Sequence, residues 1–372
     1  MNSAIQDPID IVDNRQLAEC AQRWRECPLL ALDTEFVRET TFYPIPGLVQ
    51  VGDGSRQYLI DPQRIDDWSP LRELFSAPEV SKVLHSCGED LELCNRLLGA
   101  VPTPLFDTQV GAALAGLGFS LSYQALVQTC LGIAVEKEQT RSDWVARPLS
   151  AAQRHYAALD VAYLPEVHQQ LVERLSALGR LGWWEEEGRR IAGASREQIS
   201  PDVYYLKLGA GWRLRGAQVA VLQSLCAWRE REARARNLPR GRLLKDAQCI
   251  ELAQSLPASM AALAAVPEIT PQQVRREGAA LLELINTARR AAPESWPAPV
   301  PAPLPREWGD RLKRLRQLAQ GRAETLNIPA ELLVRKRDCE SLLRHGELPE
   351  GLMGWRREVI GDDLLALARE LS

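Results

Sequence analysis

The chain has 372 residues, 45% hydrophobic and 25% charged, with a net charge of −4. These are the proportions of a soluble globular protein long enough for two or three domains, so disorder is excluded as the dominant state. The eight cysteines (20, 27, 87, 94, 130, 226, 249 and 339) include no C-x-x-C pair, which excludes a zinc ribbon and a secreted disulfide scaffold.

Charge is unevenly spread. Residues 206–372 hold 27 Lys/Arg against 20 Asp/Glu, leaving 18 against 29 in residues 1–205. An acidic front and a basic rear suit a carboxylate-rich, cation-binding site joined to a polyanion-binding module. The amino-terminal stretch through Gln16 is polar and acidic, without the basic start and apolar core of a signal peptide. Reduced thiols and a cytoplasmic protein are the expectation.

In chain order, Leu29-Leu30-Ala31-Leu32-Asp33 is a short apolar run ending in a carboxylate, the pattern of a buried strand. Leu48–Val51 and Gln57–Ile60 bracket a Gly52-Asp53-Gly54 turn and read as a β-hairpin. Val80–Leu84 predicts another strand, followed by a helix from Gly88 to Leu98. From Thr108 to Val135 there is no charged residue for 28 positions, long enough to span a bilayer. Gly116, Gly118, Ser120, Ser122, Gln124 and Gln128 interrupt it, so the reading is two buried helices joined by the Gly116-Leu117-Gly118 turn, with Ser120 as a cap. Helix continues to about Arg190. Strands followed by helices predict a mixed sheet flanked by helices.

Beyond residue 205 two segments repeat at a spacing of 90 residues. Asn237-Leu238-Pro239 matches Asn327-Ile328-Pro329, with Leu222/Leu312, Leu225/Leu315, Leu243/Leu333, Cys249/Cys339 and Leu252/Leu342 in register. Apolar residues at three- and four-residue spacing predict small helix bundles in a duplicated module. Val221, Leu222, Leu225 and Trp228 form one face of the first bundle's opening helix. Arg229, Arg231, Arg234, Arg236, Arg240, Arg242 and Lys245 are either a solvated face paired with Glu230 and Glu232 or a nucleic-acid contact. Six prolines between Ala292 and Pro305 predict an extended, semi-rigid spacer. The expected division is residues 1–205, 206–291, a linker at 292–305, and 306–372.

Three elements carry chemistry. Asp33 and Glu35, two apart on a strand, share one face while Thr34 points to the other. Two such carboxylates repel unless a cation lies between them. Asp90 falls in the first turn of a helix, where the dipole favours a carboxylate. Tyr156 and Asp160, four apart, are neighbours on a helix face. His155 also has a simple spacing to Asp160, but it is rotated about 140° from it, against about 40° for Tyr156.

The order Asp-x-Glu, Asp, Tyr-x-x-x-Asp resembles the DEDD superfamily of 3′-to-5′ exonucleases. The wording is similar to its ribonuclease D family: LDTEF at 32–36, HSCGEDLEL at 85–93, SDWVARPLS at 142–150 and YAALDVAYL at 156–164. The rear modules resemble paired HRDC domains, including WRE at 228–230 and ARARNLPR at 233–240. The resemblance implies a ribonuclease H-like α/β domain followed by two all-α bundles. It also implies two divalent ions, Mg2+ or Mn2+, on Asp33, Glu35, Asp90 and Asp160. Asp33 would bridge both ions, Glu35 and Asp160 complete one, Asp90 serve the other, and Tyr156 orient the attacking water. Phe36, His85 and Arg147 are the candidates for touching substrate, with Asp143 as the alternative partner of Arg147.

The function so implied is a 3′-to-5′ exoribonuclease that releases 5′-mononucleotides and trims structured RNA such as tRNA precursors. The sequence leaves the oligomeric state open, with a monomer favoured, and implies neither a membrane nor a nucleotide cofactor as partner. The competing readings are a DNA-directed exonuclease on the same frame and a non-catalytic RNA-binding scaffold. The charge asymmetry adds an expectation that residues 206–372 position RNA while residues 1–205 hold the chemistry.

Overall fold

Burial on both faces is what makes the central strands apolar. The computed structural model describes residues 6–136 and 142–371; the first five residues of the polar amino-terminal stretch lie outside them. Strands β1 (Ile9–Ile11), β2 (Leu29–Val37), β3 (Ile45–Gly52), β4 (Gln57–Ile60), β5 (Ser81–Leu84) and β6 (Leu105–Asp107) form one mixed sheet in the order β1-β4-β3-β2-β5-β6. β2, β3 and β4 are antiparallel neighbours, whereas β1 on β4, β5 on β2 and β6 on β5 are parallel. β2 runs four residues past Asp33, with a register shift between Glu35 and Phe36. β1 and β6, at three residues each, are too short to register as an alternating pattern.

Helices α1 (Asn14–Trp24), α2 (Ser69–Ser76), α3 (Gly88–Leu98), α4 (Thr108–Leu114), α5 (Tyr123–Leu131), α6 (Ala151–Ala162), α7 (Leu164–Ala177) and α8 (Leu181–Arg196) flank this sheet. Alternate side chains of the strands serve opposite cores. Leu30, Leu32, Val49 and Val51 pack with Leu17 and Trp24 of α1 and Leu71 and Phe75 of α2. On the other face Ala31 and Val83 pack with Val161, Leu171 and Trp184. Leu48 and Leu59 pack there with Trp144 and Ala157.

The uncharged stretch does fold as two short helices, α4 and α5. Its cap is Ser122, whose hydroxyl accepts from the Ala125 amide at 3.3 Å. Ser120, the expected cap, instead has a φ of +51° within the connecting turn. Among the described residues no helix is long and apolar enough to cross a membrane.

The repeat appears in the first three helices of each bundle, which match closely in length, while the later ones differ. Helices α9 (Ala217–Ala235), α10 (Arg240–Leu243), α11 (Asp246–Ser255), α12 (Met260–Ala264) and α13 (Pro271–Arg290) form the first bundle. α14 (Gly309–Leu326), α15 (Ala330–Leu333), α16 (Lys336–His345) and α17 (Asp362–Glu370) form the second. Asn237 and Asn327 both adopt left-handed backbone, at φ +49° and +50°, a conformation Asn tolerates better than most residues.

Packing divides the chain differently from the boundaries read in the sequence. One compact unit runs through Val37, resumes over Ile45–Glu197 and takes in Leu304 onward; the other comprises Arg38–Pro44 and Gln198–Pro303. In the first unit a single core extends from Ala31 and Val83 through Leu171 and Trp184 to Leu315, Leu333, Leu342 and Leu364. Trp183 stacks on Trp355 at 4.5 Å with the rings 13° apart. Arg180 donates to the Leu326 carbonyl at 2.7 Å. Glu187, 1% exposed, accepts from Trp355 Nε1 at 2.9 Å and from the Arg356 guanidinium. The second bundle is thus part of the unit that holds the sheet, because its apolar stripe finds its partner there.

In the second unit the proline-rich segment is extended after one 3-10 turn at Pro293–Ser295, yet it is packed. Val300 is buried among the first bundle's core residues, and Tyr205 donates to the Ala298 carbonyl at 2.7 Å. Most of the basic cluster is paired. Arg229 holds Asp246, Arg231 holds Asp202, Arg234 and Arg240 hold Glu230, Arg236 holds Glu232 and Glu277, and Lys245 reaches Glu268. Of the two expected partners, Glu230 is fully buried rather than on a solvated face. The β2–β3 connection belongs to this unit: Asn237 Oδ1 accepts from the Phe42 and Tyr43 amides at 3.1 and 3.0 Å.

Candidate metal centre

The pleat carries Asp33 and Glu35 to the face of β2 that α6 covers. The register shift after Glu35 ends the alternation and leaves Phe36 half-buried beside it. α6 starts at a capping box: Ser150 Oγ accepts from the Gln153 amide at 3.1 Å, and Gln153 Oε1 accepts from the Ser150 amide at 3.0 Å. Gln153 Nε2 also donates to the Asp143 carbonyl at 3.1 Å, tying the preceding loop to the helix. From this start α6 presents Asp160. One carboxylate oxygen each from Asp33, Glu35 and Asp160 lies within 4.8 Å of the other two.

Tyr156 lies on the same side of α6 as Asp160, with its hydroxyl close enough to the Asp160 carboxylate to oppose the rise that burial imposes on that acid. His155, the adjacent residue, is exposed. Asp90 reaches the neighbourhood from α3, buried to 8% exposure, and accepts from Thr34 Oγ1 at 2.5 Å. Thr34 does point away from Asp33 and Glu35, and what it points to is the fourth acid. Sequence pattern has no signal for that contact, since residues 34 and 90 meet only through the sheet.

A second missed residue is Asp107, at the end of β6. Its Oδ1 accepts from the Ser86 and Gln109 amides at 3.1 and 2.8 Å, and its Oδ2 accepts from the Cys87 amide at 3.0 Å. Asp107 therefore caps α4 and also holds the turn from β5 into α3, on which Asp90 rides. The signal was present: an Asp directly before Thr108 and an apolar run is an N-cap pattern.

The three residues expected to touch substrate are placed as follows. All five N–H donors of Arg147 are spent on protein acceptors: two on Asp61 at 2.8 and 2.7 Å, and the others on the carbonyls of Trp144, Ala146 and Gly47. It clamps its loop to the sheet, its carboxylate partner is Asp61 rather than Asp143, and no donor remains for a phosphate. Gly47 is required here, because a Cβ on it would lie 2.6 Å from the Trp144 Cβ. His85 is engaged at both ring nitrogens, with Thr108 Oγ1 at 3.0 Å and the Leu121 carbonyl at 3.1 Å. Phe36 is the one of the three with no polar commitment.

Burial and mutual repulsion shape the electrostatics. Burial, then Asp90, Asp160 and Glu35, push Asp33 well above the usual carboxylate range. Burial and the charges of Asp160 and Asp90 raise Glu35 to about 9. Burial raises Asp160 to about 7 against the opposing hydrogen bond from Tyr156, and Asp90 to about 6 against that from Thr34. Clustered acids that resist ionisation lack a countercharge. The donors that converge are all carboxylate oxygens, which fits hard divalent cations of the magnesium or manganese kind better than zinc.

The sequence and the fold of the chain are similar to those of known proteins. A model of 3′-5′ exonuclease domains matches residues 8–176, and a model of the HRDC domain matches residues 218–285. The chain is 47% identical over 361 residues to the ribonuclease D of Pseudomonas paraeruginosa (strain DSM 24068 / PA7), covering 95% of this chain and 96% of that protein. It is 34% identical over 368 residues to the ribonuclease D of Escherichia coli (strain K12), covering 97% and 98%. The crystal structure of Escherichia coli RNase D, described as an exoribonuclease involved in structured RNA processing, superposes with a TM-score of 0.93 over 98% of this chain and 99% of that one.

Proposed function

The chain belongs to the ribonuclease D family of 3′-to-5′ exoribonucleases, and from that we propose that Asp33, Glu35, Asp90 and Asp160 hold its divalent metal ions while Tyr156 positions the attacking water. The observation that carries this reading is the convergence of Asp33, Glu35 and Asp160 oxygens within 4.8 Å, in a setting that raises their affinity for protons. A site that binds protons against the ordinary carboxylate tendency favours any cation that can take their place.

When bound, two Mg2+ or Mn2+ ions neutralise these acids and stabilise the charge that develops on the phosphate and on the leaving 3′ oxygen. The chain's own residues do the rest. The sheet and α6 fix Asp33, Glu35 and Asp160 relative to one another, and Thr34 and Asp107 set the approach of Asp90. The Tyr156 hydroxyl, beside Asp160 on the same helix face, offers its oxygen to a water aimed in line with the scissile bond. It need not accept a proton, and with burial holding its phenol far above neutrality it stays protonated.

We further propose that the segment 306–372 is a second HRDC-like domain, supported by the 90-residue offset of its helices. The RNA trimmed is then structured, with tRNA precursors the favoured class, by a monomer acting in the cytoplasm. Phe36 is the residue we assign to contact the terminal nucleotide. The test is incubation of the protein with a 3′-extended tRNA, with and without EDTA. Metal-dependent release of 5′-mononucleotides from the 3′ end is expected, and release of the same products in EDTA would refute the reading. Parallel digestion of RNA and DNA oligonucleotides of one sequence separates it from a DNA-directed exonuclease.

A further inference from the structure

Gln50 is fully buried on β3, and neither its amide oxygen nor its amide nitrogen has a partner among the described residues. A carboxamide carries two N–H donors and an oxygen with two lone pairs. Burying such a group unpaired is less favourable than placing an apolar side chain there. Its neighbours Leu48, Val49 and Val51 are apolar and buried, so a leucine at position 50 would fit the sheet. An unpaired amide here works against stability unless it gains partners when a ligand binds.

The strand register says what lies beside it. Gln50 pairs directly with Asp33 on β2 and with Leu59 on β4. Cross-strand partners project to the same face, with Cβ atoms about 4.5–5.5 Å apart. That face carries Asp33 and Glu35 and lies under α6, the helix that supplies Asp160. The covering side chains Ala157 and Val161 are small or apolar and fully buried. Two residues along β3, a Cβ on Gly52 would lie 3.0 Å from the Val161 carbonyl, so helix and strand are in close approach there. The amide is thus confined to the inner side of the carboxylate cluster, where Asp33 is its polar neighbour in register.

We propose that Gln50 is a positioning residue of the carboxylate centre, whose ligand is the hydrated divalent cation held at Asp33. On cation binding its N–H groups donate to the Asp33 carboxylate and its oxygen accepts from water around the cation, which sets the orientation of Asp33. A neutral group that both donates and accepts suits this place, since a fifth carboxylate would add repulsion. This rests on the assignment of Asp33 as a metal ligand.

The test uses the full chain with Gln50→Leu and, as a second packing solution, Gln50→Met. In EDTA both are expected to keep the wild-type Tm or to gain about 2–4 °C, because an unpaired buried amide has been removed. Mn2+ affinity by calorimetry and kcat on a short oligoribonucleotide are each expected to fall about 10–100-fold, with KM nearly unchanged, as when an outer partner of a metal ligand is lost. Wild-type Mn2+ affinity and kcat in both variants would overturn the inference. So would a Tm in EDTA that falls in both, or failure of both to fold, since Gln50 would then be structural. Wild-type protein that binds no Mn2+ would overturn the metal assignment itself and this inference with it.

Discussion

Thr34 donates to Asp90 at 2.5 Å across 56 residues of sequence, so the residue between the two acids of β2 secures a third acid on α3. The alternation of the strand makes this possible: Asp33 and Glu35 face α6, and Thr34 faces the start of α3. Replacing Thr34 by Val keeps the shape and removes the donor. We expect kcat on a short oligoribonucleotide to fall about tenfold with KM little changed. Unchanged kcat would mean that Asp90 needs no such anchor.

Asp33→Asn removes a carboxylate opposed by burial and then by Asp90, Asp160 and Glu35. Turnover is expected to vanish while RNA binding, measured by gel shift, persists. Tm in EDTA is expected to rise, because one source of repulsion is gone. Substantial magnesium-supported activity in this variant would exclude Asp33 as a metal ligand.

The raised acids make the metal-free fold sensitive to pH in a definite direction. Asp90, Asp160 and Glu35 shift from ordinary values of 3.8, 3.8 and 4.5 to about 6, 7 and 9 on folding. The folded state therefore binds more protons than the unfolded chain above about pH 4, and stability falls as pH rises through these values. Tm in EDTA is expected to drop between about pH 5 and pH 8, and saturating Mg2+ is expected to flatten the slope by taking the place of the protons. A Tm in EDTA that climbs over this range would contradict the clustered-acid picture.

Tyr156 and His155 are adjacent, but only Tyr156 contacts Asp160, and His155 is exposed. Tyr156→Phe is expected to cost about 10²-fold in kcat with little change in KM, and His155→Ala to be mild. Equal damage from both in folded proteins would reassign the water-positioning role.

The second bundle gives a stability prediction. Arg356 and Glu187 form an ion pair with 3% and 1% exposure. Burial alone would raise Glu187, yet Arg356 and then Arg190 hold it below its ordinary value. Arg356→Ala leaves that buried charge to Arg190 and Trp355, removes the bonds to the Leu332 and Leu333 carbonyls, and is expected to cost about 3 kcal/mol in urea unfolding. A chain ending near residue 205 exposes the Leu171 and Trp184 side of the shared core, so it is expected to aggregate rather than to cleave short RNA as a free-standing nuclease. Soluble, active protein of that length would show that the shared core is dispensable.

The sequence alone determined the chemical inventory and the elements with a clear period, though not the three-residue strands β1 and β6. Period-two and period-3.6 patterns located the strands around Asp33, the hairpin, α3 and both bundles, because local hydrophobic spacing is set by the face each element buries. The spacing of Asp33 with Glu35, and of Tyr156 with Asp160, followed from strand and helix geometry alone. Only the tertiary structure decided which faces meet. The pairing of Thr34 with Asp90, the clasp of Asp107 on the turn before α3, the commitment of Arg147 to Asp61 and the fusion of the second bundle's core with the sheet all join residues far apart in the chain. An amphipathic helix records that it has an apolar stripe and not what covers it, and a polar side chain records its donors and not its acceptors; those partners are chosen by packing.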